Sequence, residues 1–306
     1  MASLKNLKVK IQSYKKTGTV TKAMQAVSAV KMRKSQERAL LGRTYAAVAL
    51  SILERLSGTA DLKRHALMKA QSGKDCFVIV TSDKGLAGSL NSAVLRRVEK
   101  EILSRKLQKS EVVIIAVGRR GGDYFASRGY EVKVRHENVA DRVSEEEIRI
   151  VTNAVLKWHK DGEISGCTIV YTNFISTFEQ EAVVRQILPI TPEMFALMVA
   201  GIRPAKGKYA PSAESSGAAK PAMYTIEPDP DGVLRELLPK LLNISIFHAL
   251  LESKSSEHSA RMVAMKSATD KANEMAGTYT RTFNKVRQAA ITREVSEITS
   301  GIESMR

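Results

Sequence analysis

Few residues are arranged as chemistry would need them. Ser82 to Gly88, reading Ser-Asp-Lys-Gly-Leu-Ala-Gly, sets an acid and two glycines just after an apolar run. Such a stretch can hold an anion or place a general base, but no nucleophile or second base lies near it in sequence, so a tight turn is the simpler reading. Gly118-Arg119-Arg120-Gly121-Gly122 also follows an apolar run and opens a helical pattern. It lacks the spacing of a dinucleotide fingerprint, and no acid ends a second strand at the required distance. The Gly-Lys pairs continue as Gly73-Lys74-Asp75 and Gly207-Lys208-Tyr209, without the Ser or Thr of a phosphate loop. His65, His136, His159, His248 and His258 show no ligand spacing among themselves or with Cys76 and Cys167. No catalytic group, cofactor site or metal site is therefore expected. The two cysteines each start an apolar run, as buried small hydrophobes of a reducing compartment do.

The elements that would carry any site are unusual in length. Residues 1–57 contain no Pro after the first Met and only Gly18 and Gly42, which predicts one long helix. Leu4, Leu7, Ile11 and Tyr14 recur at spacings of three and four, Met24, Val27 and Val30 continue a thinner stripe, and Leu41, Tyr45, Val48 and Ile52 resume it. Residues 233–306 mirror this, with Pro239 and Gly277 as the main interruptions. Leu234, Leu237, Leu241 and Ile244 form one seam; Phe283, Val286 and Ala290, then Ile291, Val295, Ile298 and Ile302, continue it. A helix of that length cannot bury its stripe alone, so the two ends are expected to pair as an antiparallel coiled coil.

Residues 58–202 change grammar. Apolar runs at 77–81, 112–117, 132–134, 168–172 and 183–187 alternate with helical patterns at 90–107 and 145–159, which predicts an α/β domain with a mostly parallel, helix-flanked, Rossmann-like sheet. Residues 203–232 are rich in Pro, Gly, Ser and Ala and read as an irregular segment, either a plain linker or a functional loop.

Charge is concentrated in one place. The formal net charge is +16, and residues 1–57 supply +10 of it, with twelve Lys or Arg against Glu37 and Glu54. The basic run from Lys15 to Arg43 carries no aromatic residue on which bases could stack, and Ala and Val stand where a lipid-binding helix needs bulky anchors. An acidic protein surface fits this helix better than nucleic acid or membrane, with a merely solvated face as the alternative. No run of 18 apolar residues spans a bilayer, and no stretch reads as a targeting segment.

Two regions carry a family resemblance. Residues 21–34, Thr-Lys-Ala-Met-Gln-Ala-Val-Ser-Ala-Val-Lys-Met-Arg-Lys, resemble the N-terminal signature of ATP synthase gamma subunits. Residues 261–270, Arg-Met-Val-Ala-Met-Lys-Ser-Ala-Thr-Asp, and 284–294, Asn-Lys-Val-Arg-Gln-Ala-Ala-Ile-Thr-Arg-Glu, are similar to the C-terminal one. The turn at 82–91 and Glu227-Pro228-Asp229 match further family segments, although Ala87 and Ser89 stand where Cys and Gly are common and Gly18 interrupts the first helix. The resemblance implies a non-catalytic rotor shaft inside a ring of alpha and beta subunits, touching epsilon and the membrane c-ring, and coupling rotation to ATP synthesis or hydrolysis. It implies that Lys22, Met24, Arg287, Gln288, Thr292 and Glu294 meet a beta subunit. It implies that Ile291, Val295, Ile298 and Ile302 turn in an apolar bearing, though an ordinary coiled-coil seam explains those four equally. Tyr224, Glu227 and Asp229 would form the foot against the c-ring and epsilon. The expected setting is peripheral, on the cytoplasmic face of a bacterial membrane. Rival readings are a nucleotide-binding α/β enzyme and a basic coiled-coil scaffold for nucleic acid.

Overall fold

The computed structural model describes residues 4–56, 65–69, 71–141, 143–191 and 229–305. It divides into two compact units, one of residues up to Ser28 with those from Arg261 onward, the other of Ala29–Ala260. Helix α1 runs Leu4–Leu56 and the C-terminal helix, α5, runs Pro230–Ser304. With 75 residues, α5 is the longest element described.

Pro239 does not end α5, although it removes one backbone donor from the ladder. Leu238 and Leu241 beside it are fully buried, and that packing outweighs the lost bond. The helix also begins earlier than its apolar pattern. Asp229 accepts at Oδ1 from the Gly232 N–H (3.0 Å), and Pro230 takes the first helical position, where a missing N–H costs nothing.

The second unit is built on a five-stranded sheet, made of β1 Lys74–Val80, β2 Val112–Val117, β3 Glu131–His136, β4 Ile164–Phe174 and β5 Gln180–Leu188. Its order is β3-β2-β1-β4-β5. The first four strands are parallel, and β5 returns antiparallel to β4 through a short hairpin. Helices α2 (Leu90–Ser104), α3 (Arg119–Ser127) and α4 (Glu145–Lys160) make the crossovers. Period-two alternation sorts the strand residues onto two cores. Phe77, Ile79, Ile114 and Ala116 face α2 and α3 through Val94, Val98, Ile102 and Phe125. Val78, Val80, Ile115 and Val117 face α4 and the first turns of α5 through Ile148, Val151, Val155, Leu234, Leu238 and Leu241. Both faces are covered, which is why the central strands read as continuous apolar runs. Cys76 and Cys167 are free, buried and directly opposed across β1 and β4.

In the first unit α1 and α5 pair antiparallel. Tyr14 stacks on Tyr279 with centroids 5.5 Å apart, a Cβ on Gly18 would meet Ala272 and Asn273, and Thr21 shares a 2.6 Å hydroxyl bond with Thr269. Leu7 is buried as its spacing predicts, but Val27 and Val30 are 53% and 55% exposed. The other buried positions of α1 in this unit are instead Gly18, Thr21 and Ser28; Ser35 and Ala39 are buried in the other unit. Small residues there let the backbones approach, and the hydroxyls of Thr21 and Ser28 bond the preceding turn (to Thr17 and Met24) while buried. Hydrophobicity alone therefore selects the wrong face of α1 between residues 24 and 30.

Candidate functional site

The turn after β1 is committed to structure. Asp83 accepts at Oδ1 from the Arg119 N–H (3.0 Å) and at Oδ2 from the Val139 N–H (3.1 Å). Its charge sits at the start of α3, where the helix dipole favours an anion. Asn91 accepts from the Ser82 N–H at 3.0 Å and donates to Ser82 Oγ at 2.7 Å. Gly118, at φ +97°, lies against the Thr81 carbonyl, and Thr81 Oγ1 accepts from the Gly121 N–H at 2.9 Å. Gly118 and Gly121 thus stand where a side chain would press on Thr81. An open hollow of about 590 Å³ beside the turn is lined by Arg120 and Asp123 together, so it carries no excess of positive charge. Among the described residues no group of three or more His, Cys, Asp or Glu is placed to hold a metal.

The terminal helices present the other candidate residues. Lys22 is exposed and Met24 half-buried on α1. Arg287, Gln288, Thr292 and Glu294 are all exposed on α5, with Thr292 Oγ1 bonded back to the Gln288 carbonyl at 3.0 Å. Spacing them over about two turns puts Gln288, Thr292 and the neighbouring Ile291 and Val295 on adjoining strips of the helix. Ile291, Val295, Ile298 and Ile302 are 50%, 55%, 63% and 58% exposed, so each is left at least half open. Asp229 is exposed at the start of α5, and Tyr224 and Glu227 lie outside the described residues.

One region escapes sequence reasoning altogether. From Asn243 to Ser259 nearly every residue of α5 is buried, including Ser253, Lys254, Ser255, Ser256, Glu257 and His258. Such a run reads as a solvated face. Instead it bonds to backbone carbonyls: Ser256 to Thr172 (3.2 Å), Ser259 to Thr177 (2.7 Å), and Lys254 Nζ to Val139 (3.1 Å). The hint available in the sequence is the density of short hydroxyl side chains, which can serve such carbonyls without bulk.

The family model described as ATP synthase matches residues 3–305. The ATP synthase gamma chain of Heliobacterium modesticaldum is 36% identical over 306 residues, and that of Geotalea daltonii 37% over 307, each alignment covering 100% of both chains. The chain belongs to the ATP synthase gamma family. Among solved structures, a chain of the Euglena gracilis mitochondrial ATP synthase, in OSCP/F1/c-ring rotational state 3, matches with TM-score 0.64 at 16% identity, over 99% of this chain and 94% of that one. A chain from the central stalk and c-ring of Tetrahymena thermophila mitochondrial ATP synthase matches with TM-score 0.58 at 21% identity, over 81% and 99%. At those identities the likeness is one of fold, and it agrees with the paired terminal helices and five-stranded sheet described above. No helix among the described residues is long and apolar enough to cross a membrane.

Proposed function

We propose that this chain is the non-catalytic central shaft of a proton-translocating rotary ATP synthase, coupling rotation of a membrane c-ring to ATP synthesis or hydrolysis on beta subunits. Membership in the gamma family supports the reading, and one observation carries it. The last four turns of α5 hold an apolar strip, Ile291, Val295, Ile298 and Ile302, that the described chain leaves half or more exposed. A strip of this kind needs an apolar partner, and a ring of alpha and beta subunits would supply it as a bearing.

A single shaft inside a threefold ring shows each catalytic subunit a different face, so rotor angle and nucleotide affinity are coupled. Coupling of binding free energies is reciprocal: nucleotide turnover can turn the shaft, and a turned shaft can release nucleotide. Lys22 and Met24, with the basic face of α1, suit an acidic surface of a beta subunit, and Arg287, Gln288, Thr292 and Glu294 offer polar contacts to a second beta segment. Tyr224, Glu227 and Asp229 would form the foot that meets epsilon and the c-ring. Residues 1–57 and 233–306 then serve as the shaft, 58–202 as the domain that joins it to epsilon, and 203–232 as the foot. The chain would sit peripherally at the cytoplasmic face of a bacterial membrane, held there through the c-ring and not by a span of its own.

Reconstitution with alpha and beta subunits tests this. Stoichiometric incorporation and strong stimulation of ATPase activity are expected. A chain that stays unassociated and leaves the activity unchanged would overturn the reading.

A further inference from the structure

Four basic side chains from two helices converge on one short loop. Asp141, in the segment between β3 and α4, meets Lys31 Nζ of α1 through Oδ2 at 2.6 Å and His258 Nε2 of α5 through Oδ1 at 3.0 Å. Its backbone carbonyl accepts from Arg38 Nη1 of α1 at 3.2 Å. Two residues earlier, the Val139 carbonyl accepts from Lys254 Nζ of α5 at 3.1 Å, and Glu257 lies 3.6 Å from the same ammonium. The Val139 N–H is held in turn by Asp83, whose other oxygen caps α3. Burial pushes the Asp141 carboxyl up, but the Lys31 hydrogen bond and the charges of His258, Lys31 and Lys254 outweigh it and hold the group below its ordinary range. The Asp141 carboxyl therefore ionises more readily than an ordinary aspartate does.

We propose that the 139–141 loop is the joint that fixes α1 and α5 to the sheet of their unit, with Asp141 as the shared ionic tie and Asp83 as its anchor. Asp141 is a positioning residue: it touches no substrate and acts by holding two helices at one axial register and one rotation. Apolar packing resists separation of helices better than it resists sliding or twisting, because it is non-directional. A loop bonded to one helix through Lys31 and Arg38 and to the other through Lys254 and His258 resists both. On the proposed function, this is where torque passes between the sheet and the stretches of α1 and α5 that belong to the same unit.

Two measurements separate the joint from that function. In the free chain, Asp141→Asn should speed backbone amide exchange over 29–38 and 251–260, by roughly threefold for a half-exposed pair, and leave 4–14 and 279–290 unchanged. In the complete ATP synthase, Asp141→Asn and Lys31→Met should each lower protons pumped per ATP hydrolysed while subunit incorporation holds, and the double variant should be no worse than the poorer single one, since the Lys31–Asp141 pair that Lys31→Met removes is already lost in Asp141→Asn. Asp141→Glu should recover most of the loss. Unchanged exchange, or additive losses in the double variant, would overturn the joint. If Asp141→Asn fails to fold, Lys31→Met decides alone, and unaltered exchange around residue 258 in that variant also overturns it. Faster exchange in the free chain together with an unincorporated wild-type chain would keep the joint and sink the shaft.

Discussion

Gly118→Ala is the perturbation whose cost the structure sets most directly. At φ +97° an L side chain is strained by about 1–2 kcal/mol before any contact is counted. The new Cβ would press into the Thr81 carbonyl oxygen and lie 2.7 Å from its carbon. Neither partner can retreat freely. The Thr81 N–H donates to Val117 at 2.8 Å and the Gly118 N–H to His136 at 2.8 Å, so relief means parting the ends of β1, β2 and β3. Losing two such bonds at about 1 kcal/mol each brings the total to roughly 3–4 kcal/mol, a large fraction of the stability of an ordinary domain. Gly88→Ala is the control, because Gly88 has φ +59° with nothing within 4 Å of its Cβ position and should cost only the backbone strain, about 1 kcal/mol. The assay is urea unfolding followed by the fluorescence of Trp158, the only tryptophan in the chain and one packed against the α4 side of the sheet. A Gly118→Ala midpoint equal to or above that of Gly88→Ala would show that close approach to Thr81 is not why glycine stands there.

Three further outcomes follow from the same geometry. Gly18→Ala should stabilise the helix pair by up to about 1 kcal/mol, since its Cβ would meet only Ala272 at 3.7 Å and, at 3.0 Å, an amide oxygen on the exposed Asn273 that can swing aside; a lower melting midpoint at 222 nm would refute this. His159 is wholly buried, and burial, opposed by the Lys69 backbone, holds its pKa below 6.5. The unfolded chain then takes the proton first, so this contribution is whole above pH 6.5 and is lost as pH falls below it, by at most about 1.4 kcal/mol per unit. His159→Leu should flatten the urea midpoint between pH 7 and 5.5, and an undiminished acid slope would count against that assignment. Ile298→Ser, at a residue 63% exposed, should shift the free chain by no more than about 0.5 kcal/mol yet weaken assembly with alpha and beta subunits; a clear drop in the free chain's melting point would mean that the strip is already packed.

Much of the architecture was legible because long elements leave long patterns. The absence of Pro across α1 and the alternation of strands and helices between residues 74 and 188 place every sheet element within a few residues. The start of α5 was legible in principle from Asp229-Pro230, yet apolar periodicity pointed to Val233, because a capping residue carries no hydrophobic signal. Val27 and Val30 misled because a close antiparallel seam selects for size before hydrophobicity, and Thr21 opposite Thr269 satisfies that demand better than Val would. Asp83 and Asp141 were invisible as partners of one loop. They are 58 residues apart in sequence, and only the parallel crossover that carries the chain from β1 through β2 to β3 brings the ends of their segments together. The roles proposed for the exposed positions Lys22, Arg287, Gln288, Thr292 and Glu294 rest on resemblance alone, since a solvated polar residue and a contact residue leave the same local pattern.

The distribution of polar and apolar contacts along α5 bears on how a rotating element must be held. Between Asn243 and Ser259 the helix is gripped by directional bonds, from Lys254, Ser256 and Ser259 to backbone carbonyls of neighbouring segments, with the His258 imidazole beside the Asp141 carboxylate. Beyond Ala290 it offers the strip Ile291, Val295, Ile298 and Ile302, each residue half or more exposed. Directional bonds fix axial register and rotation, because turning one helix against its neighbour by even one residue would leave several buried polar groups unsatisfied, at about 1–3 kcal/mol each. Apolar contact has no such preferred angle, and a ring that buries the strip would lose little when the strip turns inside it. The chemistry of α5 thus changes from one that resists rotation to one that tolerates it, in the order a shaft requires if torque enters through the sheet unit and the far end turns in a bearing.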